Sequence, residues 1–217
     1  MALSLANAIE EVRYILNEPT QVFWSDTEIT AWIKEGVRDF SSKALMYENV
    51  GTITLATGKL YYTSVDAAFL ADMIEPYSCL YYDGSSYKGI IKIHPRMVGN
   101  EATNTTGEPK YYAVHGRNFF VWPATSDAVV AAGGTLTVLY AKETDDITVL
   151  KDEFQHLPML YAAAKAKMKD QKFAEATSLM TMYLNFVAFE RQDKHAREED
   201  TLDMFKVKPR GGQGAAG

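Results

Sequence analysis

The sequence has little of what would indicate a secreted, redox or membrane protein. It contains a single cysteine, Cys79, so no disulfide can form within the chain, and this fits a reducing compartment. Its apolar stretches are short and interrupted, and none is long enough to cross a bilayer. Acidic residues come early, and no basic segment precedes an apolar run, so we expect no signal peptide. These absences predict a soluble protein that is intracellular when it is made.

An excess of positive charge is also absent. The 217 residues include 22 Lys and Arg against 28 Asp and Glu, which gives a formal net charge of −6. A protein that binds nucleic acid through its phosphates has a basic face, so this balance argues against that function. It is compatible with a surface past which DNA slides without sticking.

The sequence lacks a catalytic or metal-binding motif. Of the four histidines, none lies three or four residues from another, so no zinc-site spacing is present. Adjacent acids such as Asp145 and Asp146 point apart on a helix or strand, which makes them poor candidates for the paired carboxylates of a glycosidase. The glycine-containing stretches lie between predicted strands, whereas a phosphate loop opens a helix. We therefore expect no enzyme activity, no metal and no cofactor.

Helical periodicity is present at the N-terminal end. Residues 4–17 place apolar side chains at helical spacing, and Pro19 cannot continue that helix. Ser25 and Glu28 match a capping box, which predicts that a second helix runs over 26–46. Two amphipathic helices joined by a short loop predict an antiparallel helical hairpin.

Helical periodicity returns after residue 150. Pro158 is tolerated only in a first turn, so we expect a helix to begin near His156. A further helix follows over 173–200. Its predicted apolar stripe consists of Phe173, Ala176, Met180, Tyr183, Val187 and Glu190.

Between the helices, residues 50–150 read as short strands separated by turn residues. Two strands flank Thr57–Gly58, one helical turn is expected near 67–71, and later strands end near Gly84 and Pro95. A hairpin and one more strand follow, with the predicted strands at 111–115, 119–122 and 135–142. Five to seven short strands at this spacing are typical of a small antiparallel sandwich or barrel.

The fold class that follows is α+β. We predict a four-helix bundle built from both chain ends, with a small antiparallel β-sandwich or barrel inserted between the second and third helices. The predicted units are a helix pair at 1–49, a β domain at 50–150, a second helix pair at 151–200 and an extended C-terminal arm at 201–217.

The hairpin is unusually aromatic and carries no chemistry of its own. Doubled aromatic residues put one ring on each face of a strand, so we interpret the hairpin as core on one face and protein interface on the other. A stacking platform for single-stranded nucleic acid is an alternative, but it would need more interleaved basic residues. The candidate interface residues are Tyr111, Tyr112, Arg117, Phe119, Phe120 and Trp122.

The C-terminal segment has two interpretations. Its last residues are rich in glycine and alanine, which is typical of a flexible end. Its first part alternates apolar and basic residues, which is typical of an extended docking peptide. The candidate docking residues are Met204, Phe205, Lys206, Val207, Lys208, Pro209 and Arg210.

The order of these features resembles the head-to-tail adaptor (connector) proteins of tailed bacteriophages, and is closest to the adaptors beneath the portal of short-tailed phages. The resemblance covers about 3–192 and is carried by the stretches WSDTEITAWIKEGVRDF, YYTSVDAAFLADMIEPYSCLYYDG, IHP and TGEPKYYAVHGRNFFVWP. The last stretch matches the family's Gly-x-Pro, aromatic strand, tight turn and strand ending in proline at Gly107, Pro109, Tyr111–Tyr112, Gly116 and Trp122–Pro123. One departure is Ser64–Val65, which stand where the family has Leu-Pro.

The resemblance implies a structural virion protein. Such a protein forms a ring, commonly a dodecamer, that binds beneath the portal protein and continues the DNA channel towards tail tube, nozzle or fibre proteins. The helical bundle would form the ring body, the β insertion would face outward or tailward, and the C-terminal arm would reach along the portal. DNA would pass through without sequence-specific binding, and the protein would lie in the neck of the virion after synthesis in the host cytoplasm.

Two other functions stay open from the sequence. One is a receptor- or carbohydrate-binding module of the tail, which would use exposed aromatic residues such as Trp122 as sugar platforms. The other is a cell-wall hydrolase, which would need a carboxylate pair that the sequence does not identify.

Overall fold

The structure, a computed structural model, describes residues 3–45, 47–97 and 106–205, with the backbone alone for 193–205. Within these ranges the fold is mixed α and β, as the sequence predicts. The α-helices are α1 (Leu5–Leu16), α2 (Asp26–Ala44), α3 (Asp127–Ala131), α4 (His156–Lys169) and α5 (Phe173–Phe205). The strands are β1 (Glu48–Thr54), β2 (Tyr61–Tyr62), β3 (Met73–Tyr82), β4 (Tyr87–Lys92), β5 (Thr106–Gly107), β6 (Tyr111–His115), β7 (Asn118–Trp122), β8 (Ala124–Thr125) and β9 (Thr135–Lys142).

The N-terminal helices begin and end at the residues that the sequence favours. The Ser4 side chain caps α1 by accepting a hydrogen bond from the Asn7 N–H, and Asn17 ends that helix in the left-handed conformation. The predicted capping box of α2 is confirmed, because Ser25 and Glu28 satisfy each other's backbone N–H groups. Leu45, with φ of 55°, ends α2 shortly before the predicted boundary.

Helices from both ends of the chain contribute to one apolar cluster. Helix α4 is buried on almost every side, because α1, α2 and α5 all contact it. Gly36 of α2 lies at the closest approach, where an added Cβ would stand 3.0 Å from Tyr161 Cβ and 3.1 Å from the Pro158 backbone. The largest fully buried side chains of this cluster are Phe40, Tyr183, Ile29 and Ile33. The further prediction that these helices form a four-helix bundle stays a prediction.

The predicted stripe of α5 is correct in its middle and wrong at its first residue. Ala176, Tyr183 and Val187 are buried, whereas Phe173 is exposed. Phe173 is the first residue of the helix, where the chain has just left the left-handed turn at Gln171. The Phe173 side chain therefore lies beyond the end of the buried stripe of α5.

The strands form one seven-stranded sheet in the order β1-β9-β3-β4-β6-β7-β2, with β5 and β8 as a separate parallel pair. The predicted purely antiparallel sandwich or barrel is therefore wrong in one respect, because β4 and β6 pair in parallel. Parallel neighbours need a long crossover connection, and the polar stretch between Ile93 and Lys110 supplies it.

The strands on either side of Thr57–Gly58 exist but do not pair with each other. Strand β1 pairs with β9, and β2 pairs with β7, so the two lie at opposite edges of the sheet. A second apolar cluster covers one face of the sheet. Its most buried members include Ile53, Leu70, Tyr81, Phe119, Leu136 and Val138.

Helix α5 continues further than the sequence predicts. Its backbone is helical to Phe205, so 201–205 are helical where the sequence predicts the start of an extended arm. No glycine or proline occurs between Pro158 and Pro209, and nothing local therefore ends the helix at residue 200. Residues 206–217 of the predicted arm lie outside the described residues.

Candidate functional site

The β6–β7 hairpin confirms the local structure predicted for the aromatic stretch. Its strands pair from Tyr111↔Trp122 to His115↔Asn118, leaving Gly116 and Arg117 as a two-residue turn. Gly116 has φ of 61°, which matches the first central position of a type II′ turn. This turn type fits the twist of the strands and fixes their register. The register decides which aromatic side chains share a face.

One face of the hairpin lies in the core of the β region. Tyr112 and Phe119 are almost fully buried, and their rings stack with centroids 5.3 Å apart. Burial, with smaller contributions from Cys79 and Glu75, raises the pKa of Tyr112 to about 12. These two candidate interface residues pack inside the chain and present no surface to a partner.

The opposite face of the hairpin belongs to a broader apolar surface, which we call the outer aromatic face. Side chains alternate along a strand, so paired residues on neighbouring strands share a face. The pairs Leu80↔Gly89, Tyr82↔Tyr87, Ile91↔Tyr111, Tyr111↔Trp122 and Tyr61↔Phe120 therefore connect five strands. The members of the outer aromatic face are Tyr61, Leu80, Tyr82, Tyr87, Ile91, Tyr111, Phe120 and Trp122.

The outer aromatic face is partly exposed in the single chain. Tyr87 and Ile91 are 63% and 62% exposed, and Tyr61 is 54% exposed. Tyr111 and Trp122 are half-buried against each other, with ring centroids 5.5 Å apart. Exposed apolar patches of this kind mark interaction surfaces on soluble proteins. Tyr87 and Ile91 are absent from the sequence-based candidates because the β4–β6 pairing has no signature in the sequence.

The turn residue Arg117 and the arm complete the sequence-based candidates. Arg117 is exposed at the tip of the hairpin. Met204 and Phe205 form the last residues of α5, of which only the backbone is described. The candidates 206–210 lie outside the described residues.

A buried ionic network shapes the loop between α1 and α2, and no pattern in the sequence predicts it. Arg13 donates from Nη2 to Asp26 Oδ1 at 2.6 Å and to the Trp24 carbonyl at 2.9 Å. Glu18 Oε1 accepts from the N–H groups of Val22 and Phe23, both at 2.6 Å. Arg13 is a charged residue of α1, and it is nevertheless buried. Its partners are distant in sequence, which is why periodicity could not identify it.

The network holds Glu18 in its ionised form. Burial of the carboxyl opposes ionisation, but hydrogen bonds from the backbone of Phe23, Val22 and Trp24 and the Arg13 guanidinium outweigh it. The pKa of Glu18 is therefore lowered from its ordinary value. The consequence is a fixed loop whose tip carries apolar residues, with Val22 and Phe23 exposed.

A third apolar surface lies between the start of α4 and the middle of α5. A cavity of about 310 Å³ opens there, with two carboxylates and a histidine beside its apolar walls. Phe186 and His156 meet edge to face, with ring centroids 5.6 Å apart. The residues that line the cavity are Glu153, Phe154, His156, Leu157, Phe186, Phe189 and Glu190.

Among 3–45, 47–97 and 106–205 no group of three or more His, Cys, Asp or Glu side chains is arranged to hold a metal ion. Cys79 is buried, and its burial raises the pKa of the thiol. In the same ranges no helix has the length and apolar character to cross a membrane.

Comparison with known proteins identifies the family. The comparison with curated proteins finds no match. A family model described as SU10 adaptor protein matches residues 3–203 of this chain. The match covers both helical regions and the whole sheet between them, and it confirms the resemblance to phage adaptor proteins. The chain therefore belongs to the SU10 adaptor protein family, a family of bacteriophage structural proteins.

Proposed function

We propose that this protein is a head-to-tail adaptor subunit that assembles into a dodecameric ring beneath the portal protein. The ring would connect the capsid to the tail and continue the DNA channel in the neck of the virion. Family membership supports the adaptor function. The net charge of −6 suits a wall along which DNA moves without binding.

The observation that most supports self-assembly is the outer aromatic face. Five strands present aromatic and aliphatic side chains on the side of the sheet opposite the buried cluster, and Tyr87 and Ile91 remain mostly exposed there. A chain that functions alone gains nothing from such a surface, and it risks aggregation. Contact with a neighbouring subunit or a tail protein would bury it.

We assign the parts of the chain as follows. Helices α1, α2, α4 and α5 form the body of the ring as a four-helix bundle. The sheet faces outward or tailward, where it meets neighbouring subunits and the tail tube, nozzle or fibre proteins. The arm, with candidate residues 204–210, binds the portal.

The test is sedimentation of the purified protein with and without the portal protein of the same phage, followed by imaging of the heavy fraction. We expect co-sedimentation as two stacked rings. A light species under all conditions would contradict the proposal and would favour the tail module. Glycan-array binding that is lost in Trp122→Ala would then test the tail module directly.

Matched variants test the role of the outer aromatic face in the assembly. Tyr87→Lys and Ile91→Lys each place a charge in the face, and we expect both to prevent ring formation while the monomer stays folded. Val65→Lys is the control, because Val65 is 93% exposed and lies outside the face. Circular dichroism and thermal melting establish folding of each variant. Normal rings from both face variants would show that the face is not a subunit contact.

A further inference from the structure

The loop between α1 and α2 presents two exposed apolar side chains on a fixed backbone. Val22 is 83% exposed and Phe23 is 58% exposed. Glu18 Oε1 accepts hydrogen bonds from both of their N–H groups, and Arg13 donates to the carbonyl of Trp24, which follows them. We call Val22 and Phe23 the loop tip. Because its backbone is held in place before any partner binds, the loop tip loses little conformational entropy on binding and suits a specific contact.

The surroundings of the loop tip are uncharged. Within residues 14–25 the one charged side chain is Glu18, which is buried and hydrogen-bonded. The polar residues that precede the tip, Thr20 and Gln21, are exposed and neutral. A charged partner would therefore find no opposite charge to pair with. An apolar cavity would bury both side chains of the tip without desolvating a charge.

The cavity between α4 and α5 has the matching apolar character. Its volume of about 310 Å³ suits a few side chains and not a whole helix. Glu190 at this cavity already has an interaction within the chain, and His156 contacts the Phe186 ring. What the cavity offers a partner is therefore mainly apolar surface. The residues that form its apolar walls are Phe154, Leu157, Phe186 and Phe189.

The loop tip and the cavity lie at opposite ends of the helical cluster. The Leu3 N–H donates to Gln155 Oε1 at 2.9 Å, which places the start of α1 beside the start of α4 and its cavity. At the other end, the Glu28 carboxylate in the first turn of α2 accepts a hydrogen bond from Lys169, the last residue of α4. The 14 residues of α4 separate these ends by about 20 Å. The loop tip precedes α2 and is fixed, so it cannot reach the cavity of its own chain.

We propose that the loop tip of one copy binds the α4–α5 cavity of a second copy. Val22 and Phe23 pack there against Phe186 and Phe189, which are 43% and 64% exposed in the single chain. The contact is heterologous, because the tip and the cavity are different surfaces at opposite ends of the cluster. Each copy therefore binds one neighbour through its tip and another through its cavity, and the series closes into a ring where the rotation allows.

The inference rests on the proposed function, because the ring is the assembly in which this contact operates. It assigns to that ring a contact between helical clusters, separate from the outer aromatic face. Two side chains bury far less than the roughly 800 Å² per partner of a stable interface. The loop tip is therefore the central anchor of a larger contact between subunits.

The test is disulfide trapping between full-length copies. Gln21→Cys protein is mixed with Glu153→Cys protein under a mild oxidant, and the mixed dimer is measured over time with a size tag on one partner. These positions flank the tip and the cavity and leave the packing side chains intact. The control for Gln21→Cys is Val65→Cys, since Val65 is 93% exposed and lies outside the tip, and the native Cys79 is buried. We expect Gln21→Cys to link to Glu153→Cys at least about tenfold faster than Val65→Cys does, since only a specific contact holds the thiols together.

A matched pair of substitutions at Phe23 tests whether apolar burial holds the contact. Added to the Gln21→Cys protein, Phe23→Leu keeps an apolar side chain and is expected to change the trapping rate less than about threefold. Phe23→Asp would place a carboxylate in the apolar cavity and is expected to slow trapping at least about tenfold. Circular dichroism establishes that both variants are folded.

Equal trapping rates for Gln21→Cys and Val65→Cys would overturn the inference, and so would equal rates for Phe23→Leu and Phe23→Asp. A link within one chain, when Gln21→Cys and Glu153→Cys are combined and diluted, would overturn it as well. Rings that form on the portal while the trapping rates are equal would remove this contact and leave the adaptor function in place. Fast trapping of Gln21→Cys without rings on the portal would support the contact and contradict the ring.

Discussion

At the scale of single residues, Glu18 is the carboxylate on which the α1–α2 loop depends most. It accepts hydrogen bonds from the Val22 and Phe23 N–H groups at 2.6 Å and lies 3.6 Å from Arg13 Nη1. We expect Glu18→Gln to lower the free energy of unfolding by about 1–3 kcal/mol, since hydrogen bonds to a charged group are stronger than neutral ones. Urea unfolding at neutral pH measures the change. Glu10→Gln is the control, because Glu10 is exposed on α1, and an equal effect from both variants would contradict the assignment.

The same residue gives a pH dependence with a definite sign. The pKa of Glu18 is lowered in the folded chain despite the opposing effect of burial, because backbone N–H groups and Arg13 stabilise the ionised form. The stabilisation is therefore complete above the ordinary glutamate pKa of about 4.3 and is lost as the pH falls below it. We expect the stability difference between wild type and Glu18→Gln to shrink on acidification. A difference that stays constant between neutral pH and pH about 3 would contradict this.

At the scale of elements, the contact between α2 and α4 depends on the absence of a side chain at Gly36. An added Cβ would stand 3.0–3.1 Å from Tyr161 Cβ and from two backbone atoms of Pro158, none of which can rotate away. Alanine would stabilise the helix by about 1 kcal/mol relative to glycine, but we expect the steric crowding against α4 to cost more than this.

The expected result for Gly36→Ala is a net loss of about 1–3 kcal/mol in the free energy of unfolding. Thermal or urea unfolding measures it, with Ser42→Ala as the control on the exposed side of the same helix. A gain in stability for Gly36→Ala would mean that α4 moves aside readily, and the helical cluster would then be less tightly packed than the structure has it.

The elements also show what the sequence can and cannot predict. Helix starts and the β6–β7 turn depend on nearby residues, such as Ser25 with Glu28 and Gly116, and these predictions are confirmed. The parallel β4–β6 pairing depends on residues that are distant in sequence, so periodicity predicts the strands without their order.

The candidate surfaces were likewise predictable only where they depend on residues that are close in sequence. The hairpin aromatics were identifiable from their own stretch, and alternation predicted that one set of rings would be buried. Which set is buried, and that Tyr87 and Ile91 continue the exposed face, follows from strand order and is visible only in the fold. The buried Arg13 likewise takes its role from partners on the following loop and helix.

At the scale of the whole molecule, we expect stability and portal attachment to reside in different parts of the chain. Among the described side chains of α5, Val187 is the last one that packs in the helical cluster, and it lies well before the arm. We expect truncation after Asp203 to change the melting temperature little and to weaken attachment to the portal, because the removed residues lie outside the described cluster and carry the candidate docking peptide. Differential scanning calorimetry and co-sedimentation with the portal measure the two effects separately.

A full-length variant distinguishes the effect of removing the arm from the effect of removing only its basic side chains. Charge reversal at Lys206, Lys208 and Arg210 keeps the length of the arm but removes its basic character. If the arm docks through these cations, this variant and the truncation should weaken portal attachment to a similar extent, and both should melt like the wild type. A large drop in melting temperature in either variant would mean that the arm is part of the folded core, and the separation between a stable body and a docking segment would not hold.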